Sequence, residues 1–261
     1  MNSDQKKHFS SITIIVHWSL LIDHWSLYMS LILNLETATS VCSVALGKDG
    51  KLIAIKEINQ GYSHAENLTI FIQEILDSIQ IELTDLDALA ISKGPGSFTG
   101  LRIGTSTAKG LCYALNKPLI AIPTLRAMTF SENISRLITH NSYLFCPMLD
   151  ARRMEVYCSI YNFQNKEIRK TSAEIIDEHS FADLLKENKI VFFGDGAPKC
   201  KPALSHHPNA IFVDDVFPSA KNLITLSEHA FLSGDFENIA YFEPYYLKDF
   251  IAGSKKLSSN P

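Results

Sequence analysis

From Leu31 onward, short apolar runs alternate with amphipathic stretches in the order strand, strand, strand, helix, strand, helix, strand. Leu31 to Glu36, Val41 to Lys48 and Leu52 to Ile58 read as strands, with Asp49-Gly50 as the hairpin turn between the second and third. A helix then starts at Ser63, where Ser63-His64-Ala65-Glu66 has the form of a capping box. Leu68, Phe71, Ile72, Ile75 and Ile79 share one face of it, and Ile70 and Leu76 widen the stripe. That is more apolar surface than one sheet face requires. Ala88 to Ile91 is a continuous apolar run, the mark of a strand covered on both sides. The second helix runs from Gly100 to Asn116, a residue suited to a left-handed cap, and Pro118 prevents its continuation. Leu119 to Ile122 is the next strand, and Thr124 to His140 repeats apolar residues at helical spacing.

The second half starts again with strands, at Tyr143 to Leu149, Glu155 to Tyr161 and Glu167 to Ile176. A helix near Phe181 to Lys186, a strand at Ile190 to Phe193 ending in Gly194-Asp195-Gly196, and a short strand at Ala210 to Val213 follow. The stretch from Pro202 to Pro208, with His206 and His207, reads as a loop. Two strand-rich halves interleaved with helices imply an α/β architecture of two related lobes. The expected division is a first lobe over 29–140, a smaller second lobe over 141–218, a helix over 219–233 packing back on the first lobe, and a tail over 234–261. Residues 1–28 fit this plan poorly and are expected to be a loosely attached upstream extension, with Met29 as the natural start.

Between the buried strand and the second helix lies Gly94-Pro95-Gly96-Ser97-Phe98-Thr99-Gly100, with Gly104 one turn further on. A turn this dense in glycine either cradles an anion on free amides or lets two backbones approach closely. The Walker spacing and its Lys-Ser or Lys-Thr pair are missing, which favours the packing role. Gly100, Gly104 and Ala108 follow at i, i+4, i+8 and give the helix a flat edge. Such an edge admits another helix at short interaxial distance.

Composition narrows the chemistry. Lys plus Arg total 24 against 28 Asp plus Glu, so the net charge is -4 and no basic stripe is visible that could hold nucleic acid unaided. The five cysteines are odd in number and mostly inside apolar runs, as expected for reduced core residues of a cytoplasmic protein. No His-x-x-His, His-x-x-x-His or His-Glu-x-x-His pair occurs among the nine histidines, so no metal site is expected. Glu36-Thr37-Ala38-Thr39-Ser40 forms a polar turn after the first strand, and Asp150-Ala151-Arg152-Arg153 forms its counterpart in the second half. Each reads equally as a phosphate turn or as a plain turn whose hydroxyls bond the local backbone.

Taken together, Leu33 to Thr39, Gly94 to Gly104 and Met148 to Tyr157 resemble the TsaB (YeaZ-type) family, and the Tyr245-Tyr246-Leu247 tail also fits. The resemblance runs from about Met29 to Phe250. It implies an actin-like (ASKHA, ribonuclease H-like) fold and a non-catalytic relative of the transferase TsaD. The implied role is support of threonylcarbamoyl transfer to adenosine 37 of tRNAs reading codons that begin with A. The implied partners are a TsaD-like catalytic subunit and a TsaE-like ATPase, with tRNA met indirectly through the complex, no membrane, and a homodimer when the partner is absent. No tightly bound cofactor is implied, although an adenine nucleotide at the partner junction is compatible with the family. In the family the first two helices form a four-helix interface, which here would use His64, Leu68, Phe71, Ile72, Ile75, Gly100, Arg102, Gly104 and Ala108. Glu36, Thr37, Thr39, Asp150, Arg152 and Arg153 would be vestigial phosphate turns. Ala65, where serine is frequent, and Lys93 before the glycine turn depart from the pattern. The alternative is an enzyme, either a sugar-kinase-type ATP-dependent protein or a glycoprotease-like metallopeptidase.

Overall fold

The computed structural model describes residues 30–59, 64–137 and 143–248. The upstream segment, the start at Met29, the Ser63 half of the capping box and the boundary at Asn141 lie outside the described residues. The first lobe contains β1 (Leu31–Glu36), β2 (Cys42–Lys48), β3 (Lys51–Ile58), α1 (His64–Ile79), β4 (Ala88–Ser92), α2 (Phe98–Leu115) and β5 (Leu119–Ile122). Two short helices, α3 (Thr124–Met128) and α4 (Glu132–Ser135), lead out of it. The second lobe contains β6 (Tyr143–Asp150), β7 (Glu155–Tyr161), β8 (Glu167–Ile175), α5 (Ala182–Glu187), β9 (Lys189–Phe193), α6 (Ala197–Leu204) and β10 (Ala210–Val213), and α7 (Ile224–Ser233) ends the helical part.

Both sheets have five strands, ordered β3-β2-β1-β4-β5 and β8-β7-β6-β9-β10. In each, the first three strands form an antiparallel meander and the last two join in parallel through helical crossovers. One plan is therefore used twice, which is the two-lobed actin-like fold. The β2–β3 hairpin turns on Asp49 and Gly50, both at positive φ, the conformation that an Asp-Gly turn supplies.

Each lobe borrows a helix from the other half of the chain. On one side of the first sheet, α1 and α2 bury Leu68, Ile72, Ile75 and Ala108 against Leu33, Leu35, Leu89 and Ile91. On its other side, Leu223, Ile224 and Leu226 around the start of α7 meet Ile32, Ala45, Ala90 and Ile120. In the second lobe, Leu125, Met128 and Ile134 of α3 and α4 complete the core around Phe145, Leu149, Val191 and Phe193.

Two local expectations fail for identifiable reasons. The helical pattern over 124–140 is broken within its described part: α3 stops at Met128 and α4 covers only Glu132–Ser135, and between them the Thr129 and Phe130 amides bond the Arg126 and Ala127 carbonyls three residues back, at 3.1 and 3.0 Å, a tight turn in place of the α-helical ladder. Part of the expected Pro-rich loop is helical instead, since α6 accommodates Pro198 in its first turn and Pro202 within, and buries Ala197, Cys200 and Leu204. His206 and His207 do follow in the loop after it.

The glycine turn is where three distant stretches meet. The Ser97 amide donates to the Ala38 carbonyl at 2.6 Å, the Gly94 amide to Thr124 Oγ1 at 3.0 Å, and the Thr124 amide to the Gly94 carbonyl at 3.0 Å. From the C-terminal side, the Tyr245 amide reaches the Lys93 carbonyl at 2.7 Å. A Cβ on Gly96 would sit 2.2 Å from the Ala38 carbonyl oxygen, and one on Gly104 2.2 Å from Thr37 Oγ1. Gly94, at φ 103, would bring a Cβ within 2.8 Å of the Tyr245 carbonyl. Gly110, by contrast, has nothing within 4 Å of the same construction. The Gly96→Ala and Gly104→Ala variants are each expected to lose about 1–3 kcal/mol of stability, as overpacked sites do. Gly110→Ala should gain about 0.5–1 kcal/mol from helix propensity. Urea unfolding of the three variants beside the parent chain measures both signs.

Candidate functional site

The helix pair α1–α2 presents an outer surface whose composition differs from the expected one. Gly100, Gly104 and Ala108 are buried inside the lobe, with Thr37 and Ile91 filling the space beside Gly104. Leu68, Ile72 and Ile75 are likewise core residues. In the chain alone these six positions face inward, the flat edge of α2 seating it on its own sheet. Phe71 is half-buried against the same core. His64 opens α1, and its side chain lies outside the described part of the structure.

What faces outward is a second small-residue stripe on α2, Ser106, Gly110 and Ala114, all exposed and again at i, i+4, i+8. Arg102 begins this line with its guanidinium 4.0 Å above the Phe98 ring, which in turn lies 4.9 Å from Tyr246. Tyr113 stands beside the stripe at 84 % exposure, and on α1 Ile70 is 51 % exposed. The flat strip is therefore bordered by a large aromatic ring, while a branched apolar side chain is offered from the neighbouring helix. The spacing was present in the sequence, but two stripes of the same period lie two residues apart on α2, and only the tertiary packing distinguishes them.

The glycine turn itself is committed to packing. Pro95 is buried, Thr99 is exposed, and Ser97 caps α2 by accepting from the Gly100 amide at 3.3 Å. The amides of Gly94, Ser97 and Gly100 all have protein acceptors.

Below that turn sits the polar end of β1. Glu36 and Thr37 are completely buried and Thr39 nearly so. Glu36 accepts from the Ala38 amide at 2.6 Å through one oxygen, while its second oxygen and the hydroxyls of Thr37 and Thr105 have no protein partner. Burial pushes the Glu36 carboxyl up from 4.5 to about 7, opposed by the Ala38 amide and the Ser92 hydroxyl. In the second lobe, Asp150 accepts from the Arg152 amide at 2.8 Å and from the Lys199 ammonium, and its own amide donates to Asp195 at 3.1 Å. Burial raises the Asp195 carboxyl as well. Arg152 and Arg153 sit at φ 72 and φ 51 with exposed side chains, so the turn is held by the Asp150 and Asp195 carboxylates and not by either guanidinium. Among the described residues, no three His, Cys, Asp or Glu side chains converge as metal ligands.

The raised Glu36 carboxyl has a signed consequence. Because the folded chain binds that proton more tightly than the unfolded chain, stability falls as pH rises from about 4.5 to about 7, by about 2–3 kcal/mol. Glu36→Gln keeps an acceptor for the Ala38 amide and should flatten this part of the stability–pH curve, leaving the variant more stable than the parent at pH 8. Denaturant melts across that range read the difference.

Comparison with known proteins agrees with this architecture. The family model described as TsaD, tRNA N6-adenosine threonylcarbamoyltransferase, matches residues 54–252. The tRNA threonylcarbamoyladenosine biosynthesis protein TsaB of Escherichia coli (strain K12) is 32 % identical over 231 residues, covering 86 % of this chain and 97 % of that protein. The TsaB protein of Haemophilus influenzae is 29 % identical over 235 residues, covering 86 % and 96 %. The solved structure of YeaZ from Pseudomonas aeruginosa superposes with a TM-score of 0.70 at 26 % identity, covering 84 % of this chain and all of that one. With relatives of this similarity matched along nearly their whole length, the chain belongs to the TsaB (YeaZ-type) family.

Proposed function

We propose that this protein is a non-catalytic subunit in the formation of N6-threonylcarbamoyladenosine at position 37 of tRNA. It docks a TsaD-type transferase through the outer stripe of α2 and the adjoining surface of α1. The observation that carries the reading is the flat, exposed line Ser106, Gly110 and Ala114 beside the 84 % exposed Tyr113. A helix with a side-chain-poor outer line can approach a second helix closely, and Tyr is among the residues that anchor interfaces. Two helices of 16 and 18 residues offer a surface of the size a stable complex needs, about 1,000 Å² or more in total. The same stripe would serve a second copy of this chain when the transferase is absent. A TsaE-type ATPase joins the assembly, and an adenine nucleotide at the junction is compatible with it.

The non-catalytic part of the reading draws support from the two turns. In the first lobe the carboxyl and hydroxyl that would meet a phosphate are buried beneath α2. In the second, the Asp150 carboxylate is engaged by Lys199.

Two measurements test the proposal. Gly110→Arg fills open space, so the variant should fold with a melting temperature close to that of the parent, yet its capture of a co-expressed TsaD-type partner should weaken at least about tenfold, since a buried charge at such a junction is strongly disfavoured. Full retention of the complex would remove the docking face from consideration. Depleting the protein and analysing tRNA nucleosides should show loss of threonylcarbamoyladenosine, and unchanged levels would place the protein outside the pathway.

A further inference from the structure

After α7 the described residues add no helix or strand, yet the chain stays on the molecule as a strap. The Glu237 amide donates to the Leu119 carbonyl at 2.8 Å on the edge of the first sheet, and Phe242 then joins the core that α1 and α2 cover. The Lys109 ammonium of α2 donates to the Phe242 carbonyl at 2.9 Å, and the Tyr245 amide to the Lys93 carbonyl at 2.7 Å. Tyr246 brings its ring 4.9 Å from that of Phe98, in the first turn of α2. Two residues on, the Lys248 ammonium meets the Glu155 carboxylate at the start of β7, in the second lobe. The strap thus runs antiparallel to α2, from Lys109 back to Phe98, and is fastened on both sides of Tyr246.

Phe98, Arg102, Lys109 and Tyr113 fall on one side of α2, at i, i+4, i+11 and i+15. Phe98 and Lys109 are held by the strap, whereas Arg102 and Tyr113 are exposed and border the outer stripe. The Arg102 guanidinium lies 4.0 Å above the Phe98 ring, and among the described residues no carboxylate is within ion-pair distance of it. Its planar fork of donors is therefore set against an aromatic face and left without an anion. A contact of this kind fixes a side chain only as firmly as the ring beneath it is fixed. Phe98 is half-buried and leans on Tyr246, which the neighbouring fastenings at Tyr245 and Lys248 keep in place.

We propose that the strap is a positioning element of the docking face: Tyr246 holds Phe98, Phe98 holds Arg102, and the guanidinium so placed meets a carboxylate of the docked partner. The inference rests on the docking reading above and adds to it an element that lies outside α1 and α2. A carboxylate suits the fork because the two match bidentately. The physical gain is pre-organisation, since an arginine already in its bound orientation loses less side-chain freedom on association.

Two measurements separate this inference from the reading beneath it. In NMR spectra of the full chain alone, the Arg102 side-chain signals should show the upfield ring-current shift of a group above Phe98. Tyr246→Leu, which keeps apolar bulk but removes the ring, should retain the circular dichroism spectrum and lose part of that shift. An unchanged shift would overturn the positioning role, whatever the partner does. In binding to a TsaD-type partner, Tyr246→Leu should weaken affinity about fivefold, and Tyr246→Phe should match the parent, because the contact needs the ring and not the hydroxyl. Arg102→Ala should weaken binding at least as much, and adding Tyr246→Leu to it should cost nothing further, as expected when one residue acts through the other. Additive losses, equal weakening in Tyr246→Phe, or parental affinity in Tyr246→Leu would each overturn the inference. Partner loss in Gly110→Arg together with parental binding in Tyr246→Leu removes the strap and leaves the docking face standing. Parental binding in Gly110→Arg removes the face, and the inference with it.

Discussion

The contact between the glycine turn and the turn after β1 is the constraint on which the rest of the first lobe depends. Carbonyls and amides from Ala38, Gly94, Ser97 and Thr124 bond across distances that a methyl group on Gly96 would close. Because Gly104 is bare, α2 settles on Thr37 and Ile91, and this depth of seating decides which faces of the helix remain outside. The surface offered to partners is thus a by-product of internal fit. A side chain where Gly104 stands would lift the helix and displace the outer stripe along with it.

The duplicated strand order gives each lobe an equivalent turn beneath its crossover helices, but the two have been closed differently. In the first lobe the carboxyl is sealed in and held nearer to neutrality. In the second, the carboxylate stays at the surface and is neutralised by an ammonium group from α6. Burial raises the proton affinity of the first carboxyl, whereas the second is met by a neighbouring ammonium group, so one plan yields two electrostatic solutions.

Strand placement was readable from the chain because parallel, doubly covered strands such as β4 are unbroken apolar runs and hairpins such as β2–β3 carry Asp-Gly. The orientation of α2 was not. Gly100, Gly104, Ala108 and Ser106, Gly110, Ala114 have the same period, and periodicity identifies a stripe without saying which side of it is covered. The end of α6 was hidden by Pro202, which suggested the start of a loop where the burial of Ala197, Cys200 and Leu204 carries the helix on to Leu204. The strap along α2 escaped for another reason: Tyr246 and Phe98 are distant in the sequence and meet only after both lobes fold.

The exchange of helices bears on how the chain comes off the ribosome. The first sheet is complete once β5 has been synthesised, but Ile32, Ala45, Ala90 and Ile120 keep one side uncovered until Leu223, Ile224 and Leu226 emerge, about a hundred residues later. During that interval the nascent first lobe carries a naked apolar face. A truncation before α7 would leave that side of the sheet open to water for good.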